Sequence, residues 1–258
     1  MITSANNPKL ALVRALAKPR RREREGLFVT EGEDLLAAGR AAGREPVLLL
    51  TAAGAGLDGV EVEPALLNAS SALGSGTRAL AAWELPRATS ALAPILVYLH
   101  GVGDPGNVGT LIRSADALAA AQVVIGPGCA DPYGPRAARS TMGSIFAMPP
   151  AAGGIADTHP PRVALSAHGG QPLEDGLAEL AADRGGWEAG SEDGGDPARL
   201  TVCLGAERDG LPASVLDHCD VELTIPLRGV TESLNVAAAA AIALHRISSA
   251  APAGKRDG

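Results

Sequence analysis

The stretch Ile225-Pro226-Leu227-Arg228-Gly229-Val230-Thr231-Glu232-Ser233-Leu234-Asn235-Val236-Ala237 decides the fold. It joins a strand-like run, Cys219–Ile225, to a predicted final helix over Ser233–Ile247. The alanine run Ala237–Ala241 suits that helix, because alanine is the best helix former. Upstream, Leu204-Gly205-Ala206-Glu207-Arg208-Asp209-Gly210-Leu211-Pro212 follows a second strand, Leu200–Leu204. Further upstream, Asp104-Pro105-Gly106-Asn107-Val108-Gly109-Thr110-Leu111-Ile112-Arg113-Ser114-Ala115 lies in a glycine-rich region after a third strand, Ile95–Leu99.

Around these three loops the chain alternates. Helices are expected over Val108–Ala119, Pro135–Met142 and Leu173–Ala182, and strands over Gln122–Ile125 and Arg162–Ser166. Strands separated by helices imply a parallel sheet covered on both faces. The first 85 residues also alternate. Asn7-Pro8 reads as a helix cap followed by proline at the first helical position, and Pro19 ends that helix. Strands are expected at Leu27–Thr30, Pro46–Thr51 and Arg78–Trp83, with helices at Glu33–Gly43 and Glu63–Ser70. The fold class is therefore α/β in two domains, 1–88 and 94–250, joined by the proline-bounded stretch 84–94. Gly185–Pro197 reads as an acidic surface loop, and 251–258 as a flexible tail.

Gly101-Val102-Gly103-Asp104-Pro105-Gly106 matches the dinucleotide-binding fingerprint after a strand. The next strand ends in Gly126, where an acid should hold a ribose, so the dehydrogenase reading is weak. In the longer stretch Asn107 reads as a helix cap, with Arg113 six residues on. Read alone, Asn107 is only a cap and Arg113 only a surface arginine.

Taken together, the three loops resemble the SpoU/TrmH family of SPOUT RNA 2′-O-ribose methyltransferases. That family carries N-x-G-x-x-x-R, G-x-E-x-x-G-L and I-P-M-x-G-x-x-x-S-L-N-V-S in this order. Asn107–Arg113 and Gly205–Leu211 satisfy the first two, and the third is met except for Leu227 and Ala237. The spacer Asp131–Pro149 also looks like the family, and the resemblance covers about 94–248. Phe28-Val29-Thr30-Glu31-Gly32 and the opening Ser4–Leu12 resemble, more loosely, its ribosomal-protein-like RNA-binding domain. The resemblance implies a deep trefoil knot in the second domain, a homodimer, and S-adenosylmethionine as cofactor. It implies cofactor contacts from Gly205, Ile225 and Leu234, with Leu204 and Leu227 as neighbours and Ser166 placed there by its position at a strand end. Ile225 and Leu234 also fit a core role, since backbone atoms would make the contact. Arg113 is the implied catalytic residue. It either activates the ribose 2′-hydroxyl or holds substrate phosphate, and arginine is a poor base. Asn107, Glu207, Ser233 and Asn235 complete the implied catalytic set, with Glu207 ordering Arg113 or its own loop.

Hydrophobic residues make up 46% of the 258 and charged residues 20%, which excludes a disordered or collagen-like chain. No apolar run reaches the roughly 18 residues of a membrane span. The three cysteines, Cys129, Cys203 and Cys219, suit a reducing cytoplasm and suggest no metal site. The net charge of −7 divides into +5 over residues 1–30 and −12 over the remainder. That basic arm argues for a nucleic-acid partner on an acidic body. Candidate RNA contacts are Lys18, Arg20, Arg21, Arg22 and Arg24, with Arg136 and Arg139 in the spacer. A solvated helix face and structural salt bridges are the plainer readings of the same residues. Six aromatic residues are too scattered to form a stacking platform, so phosphate, shape and the 2′-hydroxyl should carry recognition. Ribosomal RNA is favoured over transfer RNA because of the extra N-terminal domain. A non-catalytic RNA-binding or assembly factor of the same fold is the rival reading.

Overall fold

A computed structural model describes residues 1–74, 76–86, 90–91, 93–183, 199–230 and 232–250. The expected acidic loop at 185–197 and the tail at 251–258 lie outside the described residues, as do parts of the linker.

The chain forms two compact units, Met1–Arg87 with Asp131–Ala147, and Ala88–Ala130 with Met148–Gly258. This differs from the expected single cut near 88–94. The spacer carrying Arg136 and Arg139 belongs to the first unit, although it interrupts the sequence of the second.

The first unit opens with α1 (Pro8–Ala15), α2 (Pro19–Glu25), β1 (Leu27–Glu31), α3 (Glu33–Ala41) and β2 (Leu48–Ala52). It continues with β3 (Val60–Val62), α4 (Pro64–Ser70) and β4 (Ala79–Glu84). Asn7 caps α1 as expected, accepting from the Lys9 amide at 3.0 Å. Pro19 ends that helix but also occupies the first turn of α2, so the arginine run is helical rather than a loose arm. The sheet order is β1-β4-β2-β3, with β2 and β3 parallel and the other pairs antiparallel. Its central strand β4 alternates between two cores, as the two-residue period of a strand requires. Leu80 and Ala82 join Leu10, Val13 and Leu67, while Ala79, Ala81 and Trp83 join Phe28 and Leu36. The second core is completed from the spacer by Ala138 of α6 (Pro135–Ser140) and by Ile145 and Phe146 of α7 (Ser144–Ala147). Phe28 meets Tyr133 edge-on at 5.1 Å, and Trp83 meets Phe146 at 4.7 Å. This aromatic cluster fixes the spacer on the first unit.

The second unit holds β5 (Ile95–Leu99), α5 (Pro105–Ala119) and β6 (Gln122–Ile125), then β7 (Ala151–Ala152), β8 (Arg162–Ser166) and β9 (Gln171–Pro172). It closes with α8 (Leu173–Asp183), β10 (Leu200–Leu204), α9 (Ala213–Leu216), β11 (Val221–Thr224) and α10 (Val236–Ala250). Its seven strands run parallel in the order β7-β6-β5-β10-β8-β11-β9. Strand β10 pairs with β5 on one side and β8 on the other, so it enters between two strands laid down earlier. A dinucleotide-binding sheet adds its second half in sequence order outward from the first strand, so this order departs from the dehydrogenase pattern. One face is covered by α5 and α10, whose Leu111, Ile112 and Ala115 share a core with Ala240, Ala243 and Leu244. The small alanines let the two helices approach closely. Thus β10, buried along its whole length, delivers Gly205 to the upper edge of a parallel sheet.

Candidate functional site

The sequence placed Asn107 at the cap of α5, and the structure corrects this. Asp104 caps the helix, accepting from the Asn107 amide at 2.9 Å, and Pro105 takes the first position. The Asp-Pro pair was the readable signal, since proline is favoured just inside a helix start. Relieved of capping, the Asn107 side chain points outward. Its Nδ2 donates to Glu207 Oε1 at 2.7 Å, and its Oδ1 accepts from Asn235 Nδ2 at 3.1 Å. Asn235 in turn accepts from the Ala237 amide at 2.9 Å through Oδ1. It therefore caps α10, and the helix starts at Val236 rather than at Ser233. One side chain from the first turn of α5 and two from distant loops thus form one hydrogen-bonded chain.

The middle loop is rigid for a backbone reason. Ala206 and Gly210 exchange both backbone hydrogen bonds, at 3.1 and 3.0 Å, closing a tight turn. A Cβ on Gly205 would lie 2.1 Å from the Gly210 carbonyl carbon and 2.4 Å from the Leu211 nitrogen, so only glycine fits. Gly101, at φ +70°, brings the end of β5 against the same turn. The His100 amide donates to the Leu204 carbonyl at 2.9 Å and extends the β5–β10 pairing into the loops.

Beside this turn opens a cleft of about 490 Å³. Leu204, Gly205, Ile225, Leu227, Leu234 and Ser166, all six expected cofactor contacts, line it. The Ser166 hydroxyl donates to the His168 carbonyl at 2.9 Å. Glu207 and Ser233 also line the cleft, together with Asp209, Glu222 and Glu232. Sequence reasoning missed Glu222, which lies on β11, and no motif marks it. The lining suits a planar apolar group on the leucine and isoleucine walls, and its four carboxylates outnumber its one arginine, Arg208, so positive charge is favoured there. The residues present therefore fit S-adenosylmethionine, which pairs an adenine with a sulfonium. Among the described residues, no three His, Cys, Asp or Glu side chains gather where they could hold a metal ion.

Residues 94–245 match the model of the SpoU rRNA Methylase family. The chain belongs to this SpoU family. The 23S rRNA (guanosine(2553)-2'-O)-methyltransferase RlmP of Bacillus subtilis is 33% identical over 170 residues, which are 64% of this chain and 62% of that one. The match thus spans less than two thirds of that relative. A putative RNA methyltransferase of the TrmH family from Porphyromonas gingivalis aligns with a TM-score of 0.77 at 26% identity, over 96% of this chain and 98% of that one. An AdoMet-bound rRNA methyltransferase from Sinorhizobium meliloti shares the fold, with a TM-score of 0.77 at 24% identity over 96% and 97% of the two chains.

In this SpoU protein Arg113 stands apart from the cluster. It is exposed on α5 and has no hydrogen-bond or ion-pair partner among the described residues. Of the two roles expected of Glu207, ordering Arg113 or its own loop, no ion pair to Arg113 forms among the described residues, and Oε1 accepts from Asn107 instead.

The candidate RNA contacts divide. Arg22 is buried, 2% exposed, and bonds Asp131 at 2.5 Å and the Leu16 carbonyl at 2.7 Å. It is a structural residue, a correction to the expectation that it meets RNA. Arg139 is held by Asp34 at 2.6 Å, and Arg21 and Arg24 by Glu25 at 3.2 and 2.9 Å. Lys18, Arg20 and Arg136 are exposed and have no ion-pair partner among the described residues.

Proposed function

We propose that the protein methylates a ribose 2′-hydroxyl in ribosomal RNA with S-adenosylmethionine as donor. The observation that carries this is the Glu207–Asn107–Asn235 chain beside the cleft that all six expected cofactor residues line. The family and the name of the Bacillus subtilis relative support the same reaction and the same class of RNA. When bound, the cofactor supplies an electrophilic methyl group. The cleft walls hold the adenine and exclude water, while the asparagine–glutamate chain fixes three loops in one arrangement. Arg113, with its guanidinium unengaged, holds a substrate phosphate and so orients the attacking oxygen. Ser233 and Asn235 face the RNA from the third loop. Lys18, Arg20 and Arg136 meet its phosphates.

The reading extends to a homodimer, a trefoil knot and a cytoplasmic setting. Exposed apolar side chains at Leu227, Val230 and Leu234 beside the cleft support a covering protomer. The entry of β10 between β5 and β8 supports the knot. No helix among the described residues is long and apolar enough to cross a membrane.

The test is methylation of total cellular RNA with labelled cofactor, followed by mapping of ribose-methylated positions. Label at a 2′-oxygen of ribosomal RNA is expected. Label confined to transfer RNA, protein or small molecules would overturn the substrate.

A further inference from the structure

The first unit holds a second, smaller cleft of about 100 Å³ that the methyl-transfer reading does not use. Its walls are mostly apolar, with Val13, Ala17, Val29 and Pro135 among them. Its polar end is Glu31, only 5% exposed. Glu31 Oε1 accepts from the Ala72 amide at 2.8 Å, and Oε2 from the Ser71 hydroxyl at 2.5 Å. A carboxylate offers about four acceptor sites, so each oxygen keeps one for another donor. One cationic side chain lines the cleft, Arg14, whose guanidinium donates to the Ala5 carbonyl at 2.8 Å; exposed Lys18 and Arg136 are the sequence neighbours of the lining residues Ala17 and Pro135.

We infer that this cleft takes one unstacked guanine of the RNA substrate, read by Glu31, with its phosphates held by Arg14, Lys18 and Arg136. The inference rests on the RNA reading above. The volume lies well below the ~300 Å³ at which drug-sized sites begin, so a single flat ring enters while sugar and phosphate stay outside. The end group selects the ring. A buried acceptor-only group needs donors, and guanine offers two adjacent ones, N1–H and the N2 amino group. Adenine and cytosine set a ring acceptor beside their amino group, which the carboxylate repels. Uracil offers a single N–H between two carbonyls. Single-stranded RNA bases are commonly splayed out and read on this edge.

The test uses the full chain with the cofactor cleft saturated by S-adenosylhomocysteine, and ligand-observed NMR with GMP and AMP. GMP should bind about tenfold more tightly than AMP, the discrimination of one good bidentate pair. Glu31→Gln keeps the bond from the Ala72 amide but sets an amino group in place of Oε2, where it loses the Ser71 donor and repels the N–H edge of the base, so the preference should vanish. Ala17→Leu fills the slot from an exposed position and should abolish GMP binding without lowering the melting temperature. No GMP binding, equal binding of GMP and AMP, or GMP binding unchanged in Ala17→Leu would overturn the site. Any of those results leaves methyl transfer standing, because labelled RNA tests that reaction separately.

Discussion

Two groups of polar residues looked equally functional in the sequence, and the fold treats them in opposite ways. Asn107, Glu207 and Asn235 lie 100 and 128 positions apart, yet they join in one hydrogen-bonded chain. The arginine run at 20–22 is contiguous, yet it splits, with Arg22 buried against Asp131 and Arg20 exposed. A loop motif survives folding because backbone geometry dictates it. Gly205 must be glycine, and Asp104 and Asn235 must cap their helices. A run of charge dictates no geometry, so each arginine takes whatever partner the fold brings.

The largest expected effect lies outside the polar chain, at the unengaged guanidinium of α5. Arg113→Ala should lower methyl transfer by about 10²–10³-fold, the scale of losing one preorganised charge donor. Cofactor affinity and melting temperature should stay at wild-type levels, since Arg113 touches neither cleft nor core. Normal turnover would remove Arg113 from the mechanism.

The arginine run gives the sharpest contrast. Arg22→Ala removes a buried guanidinium from the Leu16 carbonyl and from the part-exposed Asp131, which keeps its bond from the Tyr133 amide, and should cost about 2 kcal/mol of stability by denaturant titration. Arg20→Ala should leave stability unchanged. It should instead weaken RNA binding and reduce the salt dependence by about one phosphate contact. If both variants behave alike, the division of the run is wrong.

Within the polar chain, Glu207→Gln keeps an acceptor for Asn107 and Glu207→Ala does not. The alanine variant should lose about fivefold more activity than the glutamine one, the value of one neutral hydrogen bond. Equal losses would mean that Glu207 acts by charge alone and that its bond to Asn107 is incidental.

The regular elements of the second unit were legible because long strands and amphipathic helices carry their own period. Helix α5 and strands β5, β6, β8 and β10 lie where the pattern placed them, within a few residues. The two-residue strands β7 and β9, and the three-residue β3, are too short to show any period. The lining of the larger cleft was legible through its motifs, while Glu222 carries none. The allegiance of the spacer was hidden for a different reason. Tyr133 and Phe146 find Phe28 and Trp83 across more than fifty positions, and neither spacing nor composition records such a meeting. Its two ion pairs, Arg22–Asp131 and Arg139–Asp34, are equally long-range.

The second of those pairs gives the smallest effect, and a pH dependence with a definite sign. Burial raises the Asp34 carboxyl, but the hydrogen bond and charge of Arg139 outweigh it, so its pKa falls below the ordinary 3.8. A carboxyl depressed in the folded state stabilises it fully above the unfolded value, and that contribution is lost as pH falls through the folded value. The wild type should therefore lose more melting temperature than Asp34→Asn on passing below about pH 4. Both should respond alike near neutrality, where Asp34 stays ionised. Both partners are substantially exposed, at 42% of each side chain, so the difference is small and should shrink further in high salt. A larger acid sensitivity in Asp34→Asn than in the wild type would reverse the sign. It would mean that burial, not Arg139, sets this carboxyl, and that the spacer is held by its aromatic rings and the Arg22–Asp131 pair.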